Sequence, residues 1–144
     1  MKTKYYYAFL ISYCFGMSSC SSTLVCPLLG GVEKGTSSDH KVHSQSRIPA
    51  GTTIYLEPRN SLEVRSIENC RILSIIYSNE TGNIIVAKGK IDAGYGNLRK
   101  CYVSKGAHAL KGQVIGELFA KDSVYDNSLS MSLSKDGKSI MPKW

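Results

Sequence analysis

At 144 residues, 42% of them hydrophobic and 20% charged, the chain has material for one ordinary domain and a short appendage. That composition excludes wholesale disorder. The net charge of +7 would suit a polyanion such as phospholipid or anionic wall polymer. No segment joins clustered Lys or Arg to stacking aromatics, so no nucleic-acid partner is expected.

Residues 1–19 read as an export signal. Lys2 and Lys4 form a basic leader, and Tyr5 to Met17 is an uncharged run too short to span a bilayer as a helix. The small residues Ser18 and Ser19 then precede Cys20. Met17-Ser18-Ser19-Cys20 resembles the lipobox of bacterial lipoproteins, with Met where Leu is usual. The resemblance implies an acylated Cys20, an exported chain and a lipid anchor in the cell envelope. Each buried methylene of such an anchor adds about 0.8 kcal/mol to membrane affinity.

Residues 20–46 are mostly small and polar with no sustained period, and are expected to form a flexible tether. His40 and His43 lie there, and two histidines without further ligands make a poor metal site. Of the five cysteines, Cys14 falls in the signal and Cys20 is assigned to lipid. Cys26, Cys70 and Cys101 remain; a Cys70–Cys101 bridge is open to an exported chain, and spacing alone does not establish it.

From residue 47 to the end, short β runs alternate with turn residues. Thr53-Ile-Tyr-Leu, Leu62-Glu-Val-Arg-Ser and the more apolar Arg71-Ile-Leu-Ser-Ile-Ile-Tyr come first. Asn79-Glu-Thr-Gly turns into Asn83-Ile-Ile-Val-Ala, and Lys88-Gly-Lys reverses into Ile91–Tyr95. Segments Leu98–Val103, Gln113–Phe119 and Ser128–Ser134 follow, with no amphipathic helix among them. The expected fold is an all-β, single small sandwich or barrel-like domain over 47–144. Ser128-Leu-Ser-Met-Ser-Leu-Ser alternates strictly, which directs Leu129, Met131 and Leu133 inward and the serines outward. Asp136-Gly137 then supplies a two-residue hairpin turn.

Three segments carry a second resemblance. Gly82-Asn83-Ile84-Ile85-Val86 is similar to the Gly-Asn-x-Val strand of the lysostaphin/LytM-type peptidoglycan endopeptidases. Val103-x-x-Gly106-x-x-Ala109-x-x-Gly112-Gln113-x-Ile115-Gly116 is similar to that family's turn-and-strand signature, and Gly137-Lys138 to Pro142 to its closing motif. The resemblance covers roughly Ile48 to Trp144 and implies a β-sheet core with a groove that holds one zinc. Active members use His-x-x-x-Asp, Tyr-x-His and His-x-His motifs; three protein ligands hold the metal and a fourth position activates water.

Every one of those positions is changed here. Asn97 stands in Tyr95-Gly96-Asn97 where the family has histidine, and Ser128 and Ser130 replace both histidines of the last motif. The early pair falls on Gly51 and Tyr55 in one register, or on Lys41 and Gln45 in another. Neutral Ser and Asn are poor zinc ligands, and His108, the domain's only histidine, sits between two glycine turns. The implied protein has no metal, no cofactor and no peptidase activity. It resembles the degenerate, amidase-activating envelope lipoproteins, held at the outer membrane facing the periplasm by the lipid on Cys20. Gly51, Tyr55, Asn97, Ser128 and Ser130 would line a vacated groove for a cell-wall amidase, another envelope protein or peptidoglycan, in the service of wall remodelling and cell separation. Two alternatives stay open. One is a lipoyl-like adaptor, for which Ala120-Lys121-Asp122 has the order of the carrier motif reversed. The other is a residual hydrolase using Asp92, Glu117, Asp122 or Asp126.

Overall fold

The computed structural model describes residues 24–37, 53–79 and 81–144. Ten strands appear in these stretches, all paired antiparallel in one continuous sheet: β1 (Val32–Ser37), β2 (Thr53–Glu57), β3 (Glu63–Arg65), β4 (Cys70–Ile76), β5 (Asn83–Lys88), β6 (Asp92–Cys101), β7 (His108–Ala109), β8 (Val114–Leu118), β9 (Leu129–Lys135) and β10 (Lys138–Ser139). The described residues contain no helix, so the expected all-β class holds. The main path runs β1-β2-β9-β6-β5-β4-β7; β10 pairs with β9, and β3 pairs with β8.

Period-two patterning places the core. Paired residues share a face, so register alone lines up Ile54, Met131, Tyr95, Ile85 and Ile75 across β2, β9, β6, β5 and β4. Ile54, Met131, Tyr95 and Ile85 are fully buried. Each aliphatic member stabilises the fold by roughly 1.5–3 kcal/mol relative to exposure. Val64, Ile115 and Leu118 of the β3–β8 pair join the same core.

β6 connects the two parts of the sheet. Its first half, Asp92 to Gly96, pairs with β9, and its second half, Leu98 to Cys101, pairs with β8. The sequence divides this stretch into two strands around Gly96-Asn97. The structure makes it one strand, bent where it changes partner. Asn97 adopts a left-handed conformation (φ 63°) at that point, which Asn tolerates better than most residues. Against β5, three steps of β6 from Tyr95 to Leu98 face two steps from Ile85 to Asn83, a bulge that re-aims the strand.

Within the region expected to be a tether, residues 20–46, the described residues 24–37 are built into the domain. Leu28 is fully buried in the core, the carbonyl of Pro27 accepts from the Arg65 N–H at 2.8 Å, and Val32–Ser37 forms β1 alongside β2. Val-Glu-Lys-Gly-Thr-Ser carries no alternation of its own; tertiary pairing overrides that weak local signal. The signal peptide, Cys20, and the His40 and His43 pair lie outside the described residues.

The hairpin at the end of the chain forms as expected. Asp136 and Gly137 both have positive φ, 52° and 76°, and join β9 to β10 in the mirror-image turn that suits strand twist. Cys70 and Cys101 are both free thiols, so the bridge that spacing left open is not made. Burial pushes both thiols up from their ordinary value.

Candidate functional site

Across β9 and β6 the face of the central sheet opposite the core is built from serine and glycine. Tyr55, Ser130 and Gly96 form one cross-strand row over β2, β9 and β6. Thr53, Ser132, Gly94 and Val86 form the next. A Cβ on Gly96 would come within 3.3 Å of the Ser130 Oγ, so glycine keeps that hydroxyl uncovered from the β6 side. Of these two rows Tyr55 and Ser130 reach solvent in part, while Thr53, Ser132, Gly94, Val86 and Gly96 are buried, so the floor is open at the Tyr55–Ser130 pair.

Asn97 closes one end of this floor. Its carboxamide Nδ2 donates to the Ser128 carbonyl at 2.9 Å, spanning the point where β6 leaves β9. The Ser128 N–H in turn donates to the Asp126 carboxylate at 2.9 Å, a local turn two residues long. Next to it, Phe119 stacks on Tyr125 with ring centroids 4.4 Å apart and planes at 24°. The Tyr125 hydroxyl donates to the Asn79 carbonyl at 2.7 Å. These contacts pin loop 119–127 to the β4–β5 turn, where Gly82 (φ 81°) leaves room for the Phe119 ring. The sequence pattern marks this wall only through Asp126, two residues ahead of Ser128.

Four of the five expected site residues therefore gather around the start of β9: Tyr55, Asn97, Ser128 and Ser130. Gly51 lies outside the described residues, as do Lys41 and Gln45 of the alternative register. The outward serine face is a correction. Ser128, Ser132 and Ser134 are 1%, 5% and 6% exposed, and Ser130 alone among the four is half-buried. Alternation fixed which way these side chains point; it carried no information about what lies over them. Ser128 thus contributes its backbone to the site and keeps its hydroxyl from solvent. Thr53, on the same face, is 1% exposed and its Oγ1 has no hydrogen-bond partner.

The donor set decides the fit of a metal. Hydroxyls, a phenol and a carboxamide already bonded to Ser128 stand at the positions where the sequence resemblance implies ligands, and zinc selects imidazole, thiolate and carboxylate. Asp126, the adjacent carboxylate, is held by the Ser128 N–H. Among the described residues no group of three His, Cys, Asp or Glu side chains could hold a metal ion. These positions do not fit a catalytic zinc. The other carboxylates do not assemble a site either. Asp92 opens β6 opposite Ser134, while Glu117 accepts from Tyr102 at 2.5 Å and pairs with Arg99 at 3.3 Å.

Tyr95, the tyrosine that the sequence resemblance sets in the mid-domain motif, faces the core. Its hydroxyl accepts from the Ile67 N–H at 3.0 Å, and burial pushes its ionisation far above the ordinary tyrosine range. Its work is structural: it anchors the segment before β4 beneath the sheet.

This β architecture is that of the lysostaphin/LytM-type peptidases. Among solved structures the chain is similar to a chain of the SpoIIQ–SpoIIIAH pore-forming complex, with 14% identity and a TM-score of 0.59, covering 82% of this chain and 87% of that one. It is also similar to a zinc-containing peptidase from Vibrio cholerae (16% identity, TM-score 0.60), covering 83% of this chain and 37% of that one. A third similarity is to the catalytic domain of lysostaphin from Staphylococcus simulans (19%, TM-score 0.53; 72% and 80% covered). No protein-family model matches the sequence, and no curated protein matches it. At these identities the likeness is one of fold.

Proposed function

We propose that the chain is a non-catalytic cell-envelope module that uses the Tyr55–Ser130–Asn97 floor to bind another envelope component. A murein hydrolase of the amidase class, or peptidoglycan itself, is the intended partner, and the outcome is control of wall remodelling during cell separation. The observation that carries this reading is the coincidence of position and chemistry. The fold of a zinc peptidase brings Tyr55, Ser130 and Asn97 together, and none of them is a usual zinc donor. Neutral hydroxyl and amide groups on a shallow floor suit a peptide or glycan strand, since each both donates and accepts. A chain of similar fold occurs in the SpoIIQ–SpoIIIAH complex, which supports the use of such a fold for protein binding.

In this reading Cys20 carries lipid that holds the domain at the outer membrane facing the periplasm. Membrane fractionation with a Cys20→Ala chain tests that part: the variant should move to the soluble fraction. The function itself is tested by mixing the purified chain with murein hydrolases and cell walls. A rise in amidase activity, with no wall clearing by the chain alone, is expected. Clearing by the chain alone that disappears with a chelator would overturn the non-catalytic reading.

A further inference from the structure

The other end of the same sheet face carries a row of basic side chains. Register places His108 of β7 opposite Arg71 of β4, and Arg71 opposite Lys88 of β5. Paired residues share a face, so the three stand side by side on one surface, and all three are exposed. Like charges set directly across strands destabilise a sheet, so a fold with no use for them has reason to separate them. Arg71 is the sharpest case: both its cross-strand neighbours are basic residue types. Among the described residues the ion pairs within 4 Å are Arg65–Glu63 and Arg99–Glu117, and neither involves this row.

Two acidic side chains lie close by. Asp92 is the β6 partner of Lys88, and Glu68 accepts from the Ile91 N–H at 2.7 Å, which ties it to the β5–β6 turn. Neither is a cross-strand neighbour of Arg71. The row borders an open depression of about 340 Å³, lined also by Asn69, Cys70 and Leu110. The Asn69 Oδ1 accepts from the Lys111 N–H at 2.8 Å, so its amide NH2 is the end left to donate. The floor of the depression is largely apolar, and a guanidinium, an ammonium, an imidazole and an amide belong to the exposed residues around it. It lies four residues along β6 from Gly96, roughly 13 Å, and on strands beyond β6, so it is distinct from the floor at Ser130.

We propose that the His108–Arg71–Lys88 row is a binding site for a phosphate-bearing anion. Arg71 supplies two parallel donors to adjacent phosphate oxygens, Lys88 a point charge, and Asn69 a neutral donor at the rim. The site stands independently of the partner assigned to the Ser130 floor. It gives part of the net charge of +7 a defined location.

Calorimetric titration of the full-length chain with pyrophosphate tests it. Saturable binding is expected, weakened at least about tenfold in the double variant Arg71→Gln/Lys88→Gln. It should be unchanged in Lys121→Gln/Lys143→Gln, which removes the same charge from exposed positions elsewhere. The first variant should melt no lower than the parent, because it relieves like-charge contact, and this keeps a loss of binding separate from a loss of fold. Competition by phosphatidylglycerol vesicles would assign the phosphate to a lipid headgroup; binding that vesicles do not displace would assign it to a free or polymer phosphate. Absence of saturable binding, or equal weakening in the two double variants, would overturn the proposal. So would vesicle binding that survives Arg71→Gln/Lys88→Gln in a Cys20→Ala chain, which carries no lipid of its own.

Discussion

The two faces of the central sheet share the same strands and differ in almost every other respect. On β9, Leu129, Met131 and Leu133 are fully buried in the core, and Ser128, Ser130, Ser132 and Ser134 alternate with them on the other side. The core face is large, apolar and interdigitated, and its residues hold the domain together. Over β2, β9 and β6 the opposite face carries serine, threonine and glycine, mostly buried, with Tyr55 and Ser130 half-buried at its open part. Ordinary strands would serve the first face alone; the second is shaped by what is missing from it. Stability and recognition are thereby separated by one residue step along a strand.

Substitutions on each face should break or sharpen that contrast. Leu129→Ala should have the largest effect, about 2–5 kcal/mol of stability lost by chemical denaturation, because it leaves a cavity in the middle of the core. Tyr95→Phe should cost about 1–3 kcal/mol, since the Ile67 N–H loses its acceptor in a buried setting. The same variant should alter the pH dependence. Tyr95 has its ionisation raised in the fold, as do Cys70 and Cys101, so all three favour the folded state below their unfolded values. The parent should therefore lose stability as pH rises from about 9, through the thiols first and then Tyr95 above about 10. Tyr95→Phe should flatten only the upper part of that loss.

Asn97 stands at the bend of β6, where the strand passes from β9 to β8. Asn97→Ala should cost about 1–2 kcal/mol, from left-handed strain and the lost bond to the Ser128 carbonyl. Asn97→Gly should recover the conformational part only, and comparison of the two melting curves measures the bond. Thr53→Val should act in the opposite direction, gaining up to about 1 kcal/mol, because it removes a buried hydroxyl that has no partner. Ser130→Ala should lie within about 0.5 kcal/mol of the parent while weakening any partner held on the floor. A Ser130→Ala effect as large as that of Leu129→Ala would end the distinction between the faces.

Much of this was legible in the sequence, for identifiable reasons. Strict alternation over Ser128–Ser134 sets face and strand together, and Asp136-Gly137 sets the turn by backbone chemistry alone. The resemblance to the zinc peptidases pointed to Tyr55, Asn97, Ser128 and Ser130 through residue type and order, and the fold brings these four to one place. Three features were not readable. β1 has no period and owes its existence to pairing with β2. The bend at Asn97 depends on β6 changing partner from β9 to β8, a long-range event that resembled a break between two strands. The burial of Ser128, Ser132 and Ser134 depends on what packs over the sheet, which alternation does not encode.

The account rests on a floor that binds and does not cleave. Its most direct test is the rate of wall hydrolysis by an amidase mixed with the parent chain or with Ser130→Arg, in which a long charged side chain fills the row between Tyr55 and Gly96. The parent should raise the rate, and a Ser130→Arg chain of unchanged melting temperature should not. Equal stimulation by both chains would contradict the account.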